Sequence, residues 1–502
     1  MAPDSAIDEP ALTFDLKDPE TLKQIYYPED SRKDISIDNM GEPWNIGKVN
    51  VLGVATMIRQ GTSFITLIDT SETFYYSNGV YVPHGEAVVK TFCQGILEKN
   101  CTNHIVSEVQ GVIERSSMFD REGSEDSSSW ICVDNGLLNI NTREFVPHTP
   151  SRIFFNRLPV KYDPAATCPN IDKFMAEIHE NEKDVLAMQE AIGHCLLPDY
   201  RVQKGHLLVG SGSNGKSTLF NVITAFLGDR NVSSIALQSL SPGANRFAAG
   251  QLRGKFANIY DDISAKEVRD TSIFKIATGG GMMSGETKGK DIFNFRNRAK
   301  MFFSCNAVPD TDDDSDAYFR RWNIFRYLKQ FEGANKDENL IARLTTPGEM
   351  SGLLNRALEG IARLNTQGGF SKNETIAQMR KEYKELSDPV GLFVEEMCEL
   401  RFTDETVRDE KGDTLRDENG NALFNHAFRI PVAELYRAYE EFCGARSLPK
   451  VSTHAFKAGL IKGNPMIRDK GVKIGGKNVK CYIGITLADR VSKFTGAGFS
   501  DE

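Results

Sequence analysis

From Val49 onward short apolar runs alternate with turn residues, and the two clearest β signals are Phe74 to Val82 and Trp130 to Leu138. Each holds an Asn-Gly pair, Asn78-Gly79 and Asn135-Gly136, between β-formers. That pattern predicts a hairpin, because both residues tolerate positive φ. Around Tyr162-Asp163-Pro164 the pattern changes, and Ile171 to Leu196 carries apolar residues at helical spacing, which places a domain boundary near residue 165. A short apolar strand, His206 to Val209, then leads through a glycine-rich loop into a helix whose apolar face is Leu219, Phe220, Ile223, Phe226 and Leu227, with a stop at Gly228. Further strands at Phe256 to Tyr260 and Met301 to Cys305 run on to about Tyr327, and helical segments fill residues 338 to 386. The last unit has a helix at Val432 to Cys443, a second at Ser452 to Leu460, and a Gly- and Lys-rich strand pair ending near Leu487.

Three stretches lack such periodicity. Residues 1–45 are polar and rich in Asp, Glu and Pro, which predicts a loosely ordered arm, and Glu122 to Ser129 reads as an exposed loop. Residues 404–425 contain a small repeat, Arg408 to Gly412 followed by Arg416 to Gly420. Its acidic residues fit no EF-hand spacing, so an exposed hairpin is the expectation. A chain of 502 residues is too long for one hydrophobic core. The expected division is an arm at 1–45, an N-terminal α+β domain at 46–164, an α/β nucleotide-binding domain at 165–335, a helical linker at 336–388, a C-terminal domain at 389–490 and a tail at 491–502.

Composition excludes several classes. With 40% hydrophobic and 26% charged residues the chain reads as globular, and no apolar run approaches the ~20 residues of a bilayer span. The first ten residues lack the basic start and apolar stretch of a secretory signal, so a cytoplasmic, non-secreted protein with no membrane partner is expected. Nine cysteines stand singly from Cys93 to Cys481 without a C-x-x-C pair, which argues against structural zinc and a disulfide framework. The net charge of −9 disfavours nucleic acid on average. Between Arg446 and Lys480, however, nine Lys or Arg face one acid, Asp469, and this local basic patch is an electrostatic footprint for DNA.

The glycine-rich loop carries the sharpest chemistry. Gly210-Ser211-Gly212-Ser213-Asn214-Gly215-Lys216-Ser217 meets G-x-x-x-x-G-K-[ST], and Thr218 follows it into the helix. Such a loop closes backbone N–H groups around phosphates at a helix N-terminus. Lys216 is expected to neutralise the β- and γ-phosphates of ATP, and the Ser217 hydroxyl to ligate Mg²⁺. Asp261 and Asp262, after an apolar strand, supply a metal ligand and a water-polarising carboxylate. Asn306, ending another strand, is suited to orient the attacking water, and Arg320 or Arg321 to stabilise transition-state charge. The acids from Asp310 to Asp316 read as a solvated loop.

In this order, Asn214 to Thr218, Asp261-Asp262, Lys275 to Gly280, Asn306 to Pro309 and Arg320-Arg321 resemble the motor of superfamily 3 helicases, within the phage/plasmid and poxvirus-type primase-helicase C-terminal family. Upstream, Asn135 to Leu138, Pro147 to Pro150, Leu158-Pro159, Tyr162 to Pro164 and Cys168-Pro169 resemble the domain preceding that motor. His148 among them is assigned a structural role. Downstream, Asp388 to Val390, Leu435 to Tyr439 and Ser452 to Gly459 resemble the family's winged-helix end, so that the likeness covers about residues 70 to 487. The resemblance implies an AAA+-like ATPase core and a homohexameric ring that draws one DNA strand through its channel and unwinds duplex 3′ to 5′. Lys288 and Lys290, flanking a glycine, would contact DNA at the tip of a channel hairpin. Lys470, Lys473, Lys477 and Lys480 would touch duplex phosphates from a wing. No acidic triplet suited to primer synthesis precedes the motor, which disfavours a primase and leaves primer synthesis to a separate primase or polymerase partner. The rival readings are an ATP-switched initiator that binds DNA without unwinding and a primase component.

Overall fold

The computed structural model describes residues 15, 17–40, 42–121, 129–241, 243, 245, 247–264, 268, 270–286, 292–331, 337, 339–372, 374–403, 405–406, 424–425, 427–446, 448, 450–474 and 477–489. Its centre is a five-stranded sheet in the spatial order Val232–Ser233, Ala257–Tyr260, Lys300–Cys305, Gly205–Val209, Trp322–Arg326, every neighbouring pair parallel. Parallel strands need crossovers, and the crossovers cover both faces. Strands Gly205–Val209 and Lys300–Cys305 are accordingly buried at every residue. Helices Lys216–Leu227, Pro169–Ile178, Glu182–Cys195 and Pro347–Gln367 contribute to the core on one face; helices Ser272–Thr278 and Ile376–Ser387 and the C-terminal domain contribute to the other.

Two expectations about this region change. The predicted helical run from Ile171 to Leu196 is broken at His179, because Asn181 accepts the Asp184 N–H at 3.0 Å and starts a new helix. Residues 336–388 are no linker. Helix Pro347–Gln367 crosses Glu182–Cys195 so closely that a Cβ on Gly193 would lie 2.3 Å from the Ala357 carbonyl, and one on Gly360 2.7 Å from that of Gln189. Buried Glu349 also accepts the Asn170 and Ile171 N–H groups at 3.2 and 3.0 Å, capping the helix that begins at Pro169 from far along the chain.

The N-terminal unit packs helices Val51–Gly61, Gly85–Leu97 and Asn103–Ser116 with a sheet ordered Val80–Val82, Thr73–Ser77, Phe64–Leu67, Met118–Phe119. Much of the presumed arm belongs to it. Helix Pro19–Ile25, capped by Asp18, buries Leu22 and Ile25, and Tyr26–Pro28 pairs with Ile46–Val49. Asn78 and Gly79 turn their hairpin at φ 47° and 89°, as the sequence predicts. The second hairpin turns at Asp134-Asn135 instead, and Gly136 lies in the strand, where a Cβ would meet the Phe145 ring and the Val146 carbonyl at 2.6 Å. Asn135 bonds the Tyr162 backbone through both side-chain atoms. His148 bonds the Val133 carbonyl at 2.9 Å, a structural contact. Ile131, Val133, Leu138, Leu158 and Val160 share the core of the central sheet, so packing does not break at residue 165.

The C-terminal unit runs helix Pro389–Met397, strand Arg429–Pro431, helices Val432–Arg446 and Thr453–Gly463, then the hairpin Arg468–Ile474 and Lys477–Ile483. Arg429–Pro431 pairs with the second hairpin strand, giving a three-stranded antiparallel sheet. Phe393, Tyr439, Phe456 and Tyr482 belong to the same core as Leu207, Val209 and Phe303 of the central sheet. The repeat at Arg408 to Gly420, the loop from Glu122 to Ser128, and Lys288 and Lys290 lie outside the described residues. Among the described residues no helix is long and apolar enough to cross a membrane.

Candidate functional site

In a parallel sheet every strand ends on the same edge, and here that edge gathers the glycine-rich loop, Asp261, Asp262 and Asn306. Val209 is in register with Cys305, and the Gly210 N–H donates to the Cys305 carbonyl at 3.1 Å, so the glycine-rich loop begins beside Asn306. Tyr260 is in register with Phe303, which puts Asp261 and Asp262 on the far side of the same strand.

The loop's backbone is shaped by left-handed residues. Gly212 (φ 103°), Ser213 (φ 51°) and Gly215 (φ 84°) bend the chain before the helix starts at Lys216. Gly212 is open to solvent on its Cβ side, so its glycine is required by conformation alone. Gly210 is required by space, because a Cβ there would lie 2.1 Å from the Asn214 amide and 2.5 Å from the Tyr327 carbonyl. Asn214 donates to that same carbonyl at 3.0 Å, which ties the loop to the end of strand Trp322–Arg326. The buried Lys216 ammonium donates to the Gly210 carbonyl at 2.6 Å and to Asn214 Oδ1 at 2.9 Å. Burial lowers its pKa from the ordinary lysine value, and Cys305, Asp261 and Asp262 oppose that shift. The lysine is thus folded back on its own loop, with the exposed Ser217 one residue on.

The acidic pair is held by a residue the sequence reading passed over. Ser304, fully buried in the strand that ends at Asn306, donates its hydroxyl to Asp261 Oδ1 and accepts the Asp262 N–H at 2.9 Å. Asp262 turns at φ 56°, and Asn306 Nδ2 donates to Asp262 Oδ1 at 3.3 Å. The available signal was a lone hydroxyl among the apolar residues that follow Lys300 in this strand. Asp261, Asp262 and Asn306 are all exposed. Among the described residues no group of three or more His, Cys, Asp or Glu could cage a metal ion. A hydroxyl and a carboxylate at one sheet edge are instead the hard-oxygen set that Mg²⁺ takes when phosphates and water complete its shell.

The two arginines separate. Trp322 is in register with Gly205, so Arg320 and Arg321 lie at the opposite end of the sheet from Gly210, roughly 16 Å along the strands. Arg321 is buried, with Nε on the Lys275 carbonyl at 3.1 Å and Nη1 on that of Ala317 at 2.6 Å, and Arg320 is exposed. The acidic run from Asp310 is not merely a solvated loop. Asp313 accepts from Thr271 and from Lys275 at 2.8 Å, Asp314 pairs with Lys384, and Asp316 with Arg380. The Asp313 bonds tie the run to helix Ser272–Thr278, and the Asp314 and Asp316 pairs dock helix Ile376–Ser387. Burial opposes ionisation of Asp313, yet bonds from Lys275, Ser315 and Thr271 outweigh it and hold the carboxyl well below its usual range.

At the C-terminal hairpin the lysines divide between faces. Lys470 is in register with Cys481 and Lys477 with Ile474, so both lie on one face, whereas Lys473 shares the other with Lys480, which pairs with Gly471. Lys480 is ion-paired to Asp469 at 3.0 Å, as is Lys457 of helix Thr453–Gly463 at 2.9 Å. Lys470, Lys473 and Lys477 are exposed. A cleft of about 250 Å³ separates Gly210, Ser211 and Gln330 from Glu440, Gly444 and Lys450 of the C-terminal unit.

Residues 96–180 match the family described as D5 N terminal like, and residues 208–321 match a family of unknown function, DUF5906. A protein of Acanthamoeba polyphaga mimivirus named as a "putative helicase" is 22% identical over 313 residues, 62% of this chain. The chain spans 28% of that relative's length. Two apo structures of the NrS-1 C terminal region are 13% identical to it. One covers 86% of this chain and 98% of its own at a TM-score of 0.44, the other 87% and 100% at 0.46. The chain is therefore similar over two separate segments to the D5 N terminal like and DUF5906 families, and over 313 residues to a viral protein bearing a helicase name.

Proposed function

We propose that the chain is an ATP-driven DNA helicase of a viral, phage or plasmid replication system, with a superfamily 3, AAA+-like motor acting as a hexameric ring. The observation that carries this reading is the meeting of the Gly210–Thr218 loop, the Asp261-Asp262 turn and Asn306 at one sheet edge, with an exposed Arg320 at the other. The loop's N–H groups and Lys216 would bind the ATP phosphates; Ser217 and Asp261 would hold Mg²⁺, which supplies charge neutralisation when bound. Asp262 and Asn306 would orient and polarise a water, a reading that their mutual hydrogen bond supports. Arg320 cannot reach its own chain's loop across the sheet, which supports its service to a neighbouring subunit, whereas Arg321 is engaged within its own chain.

The order helix, strand, two helices, hairpin, with the first strand beside the second hairpin strand, supports a winged-helix reading of the C-terminal unit, in which exposed Lys470 and Lys477 on one face of the hairpin and Lys473 on the other would reach duplex phosphates on either side of the wing. The deciding experiment is strand displacement on forked DNA. ATP-dependent displacement, lost in Lys216→Ala, is expected, and a protein that binds DNA and hydrolyses ATP without displacing a strand would be an initiator instead.

A further inference from the structure

The Ser304 side chain touches both members of the acidic pair. Its Oγ donates to the Asp261 carboxylate and accepts the Asp262 backbone N–H at 2.9 Å, while its own carbonyl accepts the Ile263 N–H at 2.8 Å. Only a hydroxyl can donate and accept from one atom here; alanine leaves a peptide N–H without its acceptor, and cysteine is a weak substitute on both counts. Asp262 sits at φ 56°, in the left-handed region that Asp and Asn enter more readily than other side-chain-bearing residues, and the Ser304 hydroxyl accepts its N–H there. Ser304 engages one carboxylate oxygen of Asp261 at the sheet edge that also carries the Gly210–Thr218 loop, and Asp262 accepts from Asn306, just past the end of the strand that holds Ser304.

We propose that Ser304 is a positioning residue that pre-orients Asp261 toward Mg²⁺ and Asp262 toward the attacking water, so that metal binding needs no rearrangement of the acidic turn. This rests on the ATPase reading above. Partners that orient a metal-binding carboxylate typically contribute 10–100-fold to metal affinity.

The test is binding, not turnover, on the full-length protein with Mn²⁺ as a spectroscopic stand-in for Mg²⁺. Ser304→Ala is expected to weaken Mn²⁺ binding to the ATP complex 10–100-fold by electron paramagnetic resonance, leave metal-free ATP affinity unchanged in EDTA, and regain metal affinity as Ser304→Thr. In an Asp261→Asn background Ser304→Ala should produce no further loss, because the two changes remove one arrangement. Undiminished Mn²⁺ affinity in Ser304→Ala, or an equal loss of metal-free ATP binding, overturns the role. If Ser304→Ala unfolds, the Asp261→Asn comparison is replaced by Ser304→Thr alone, whose loss of metal affinity in a folded protein would likewise overturn it. Wild-type protein that binds no ATP at all sinks the nucleotide reading itself, an outcome distinct from wild-type binding beside an unaffected variant.

Discussion

Replacing each of the paired arginines by alanine should give opposite results, because Arg321 is bonded within the fold and Arg320 is exposed. Arg321 makes two hydrogen bonds from a charged donor to main-chain carbonyls, those of Lys275 and Ala317. Such bonds contribute ~1.5–3 kcal/mol each. Taking the low end, because the guanidinium keeps some contact with solvent, Arg321→Ala should destabilise the fold by ~3 kcal/mol and, in a chain of 502 residues, lower the melting temperature by roughly 3 °C. Arg320 is exposed, so its removal should change stability by no more than ~0.5 kcal/mol. As an arginine finger acting across a subunit boundary, however, it should carry a rate factor on the order of 10³–10⁵, equivalent to ~4–7 kcal/mol of barrier. Thermal melts and steady-state ATPase rates on the same preparations separate the two effects. Mixing Arg320→Ala with Lys216→Ala should restore part of the activity, since a mixed interface can pair one intact loop with one intact arginine. A stable Arg321→Ala with lost turnover beside an active Arg320→Ala would refute the assignment, and an active monomer without complementation would remove the ring.

Lys216→Ala should abolish most ATP binding, whereas Asp262→Asn should bind ATP in equilibrium dialysis yet hydrolyse it slowly; asparagine accepts the left-handed backbone at 262, so backbone strain does not confuse the comparison. Single alanine substitutions at Lys470, Lys473 and Lys477 should each reduce the log–log salt slope of duplex binding by ~0.9, with Lys480→Ala doing less because Asp469 already neutralises it. Point substitutions are the right tool, since deleting the C-terminal unit would strip a core shared with the central sheet. Burial, reinforced by Lys204 and Lys300, pushes the His206 imidazole down to about 3 from 6.5. Between those values the unfolded chain binds a proton that the folded chain does not, so stability is full above pH 6.5 and falls by ~1.4 kcal/mol per unit as pH drops toward 3. In urea titrations at pH 7 and pH 4.5, His206→Leu should show a smaller difference than wild type, and an identical difference would refute the linkage.

What the sequence determined by itself is what depends on neighbouring residues. Strand, loop and helix around Gly210 to Leu227 were legible because apolar spacing, glycine conformation and the Gly228 stop all act within a few residues, and the Asn78-Gly79 turn for the same reason. The order of candidate residues from Lys216 to Arg321 was equally readable. Only the tertiary structure decided how they meet. Parallel pairing put Gly210 beside Asn306 and sent Arg320 to the other end of the sheet, a consequence of strand direction that no local pattern encodes. Burial separated Arg321 from its identical neighbour, and Asp469 separated Lys480 from the other hairpin lysines. Glu349 capping the helix at Pro169, and the close crossing at Gly193 and Gly360, turned an apparent linker into part of the core. Ser304 stayed hidden for the same physical reason. A hydroxyl in an apolar strand acquires a role only when a distant acidic turn folds against it, and that contact is made by packing between residues more than forty apart in the chain.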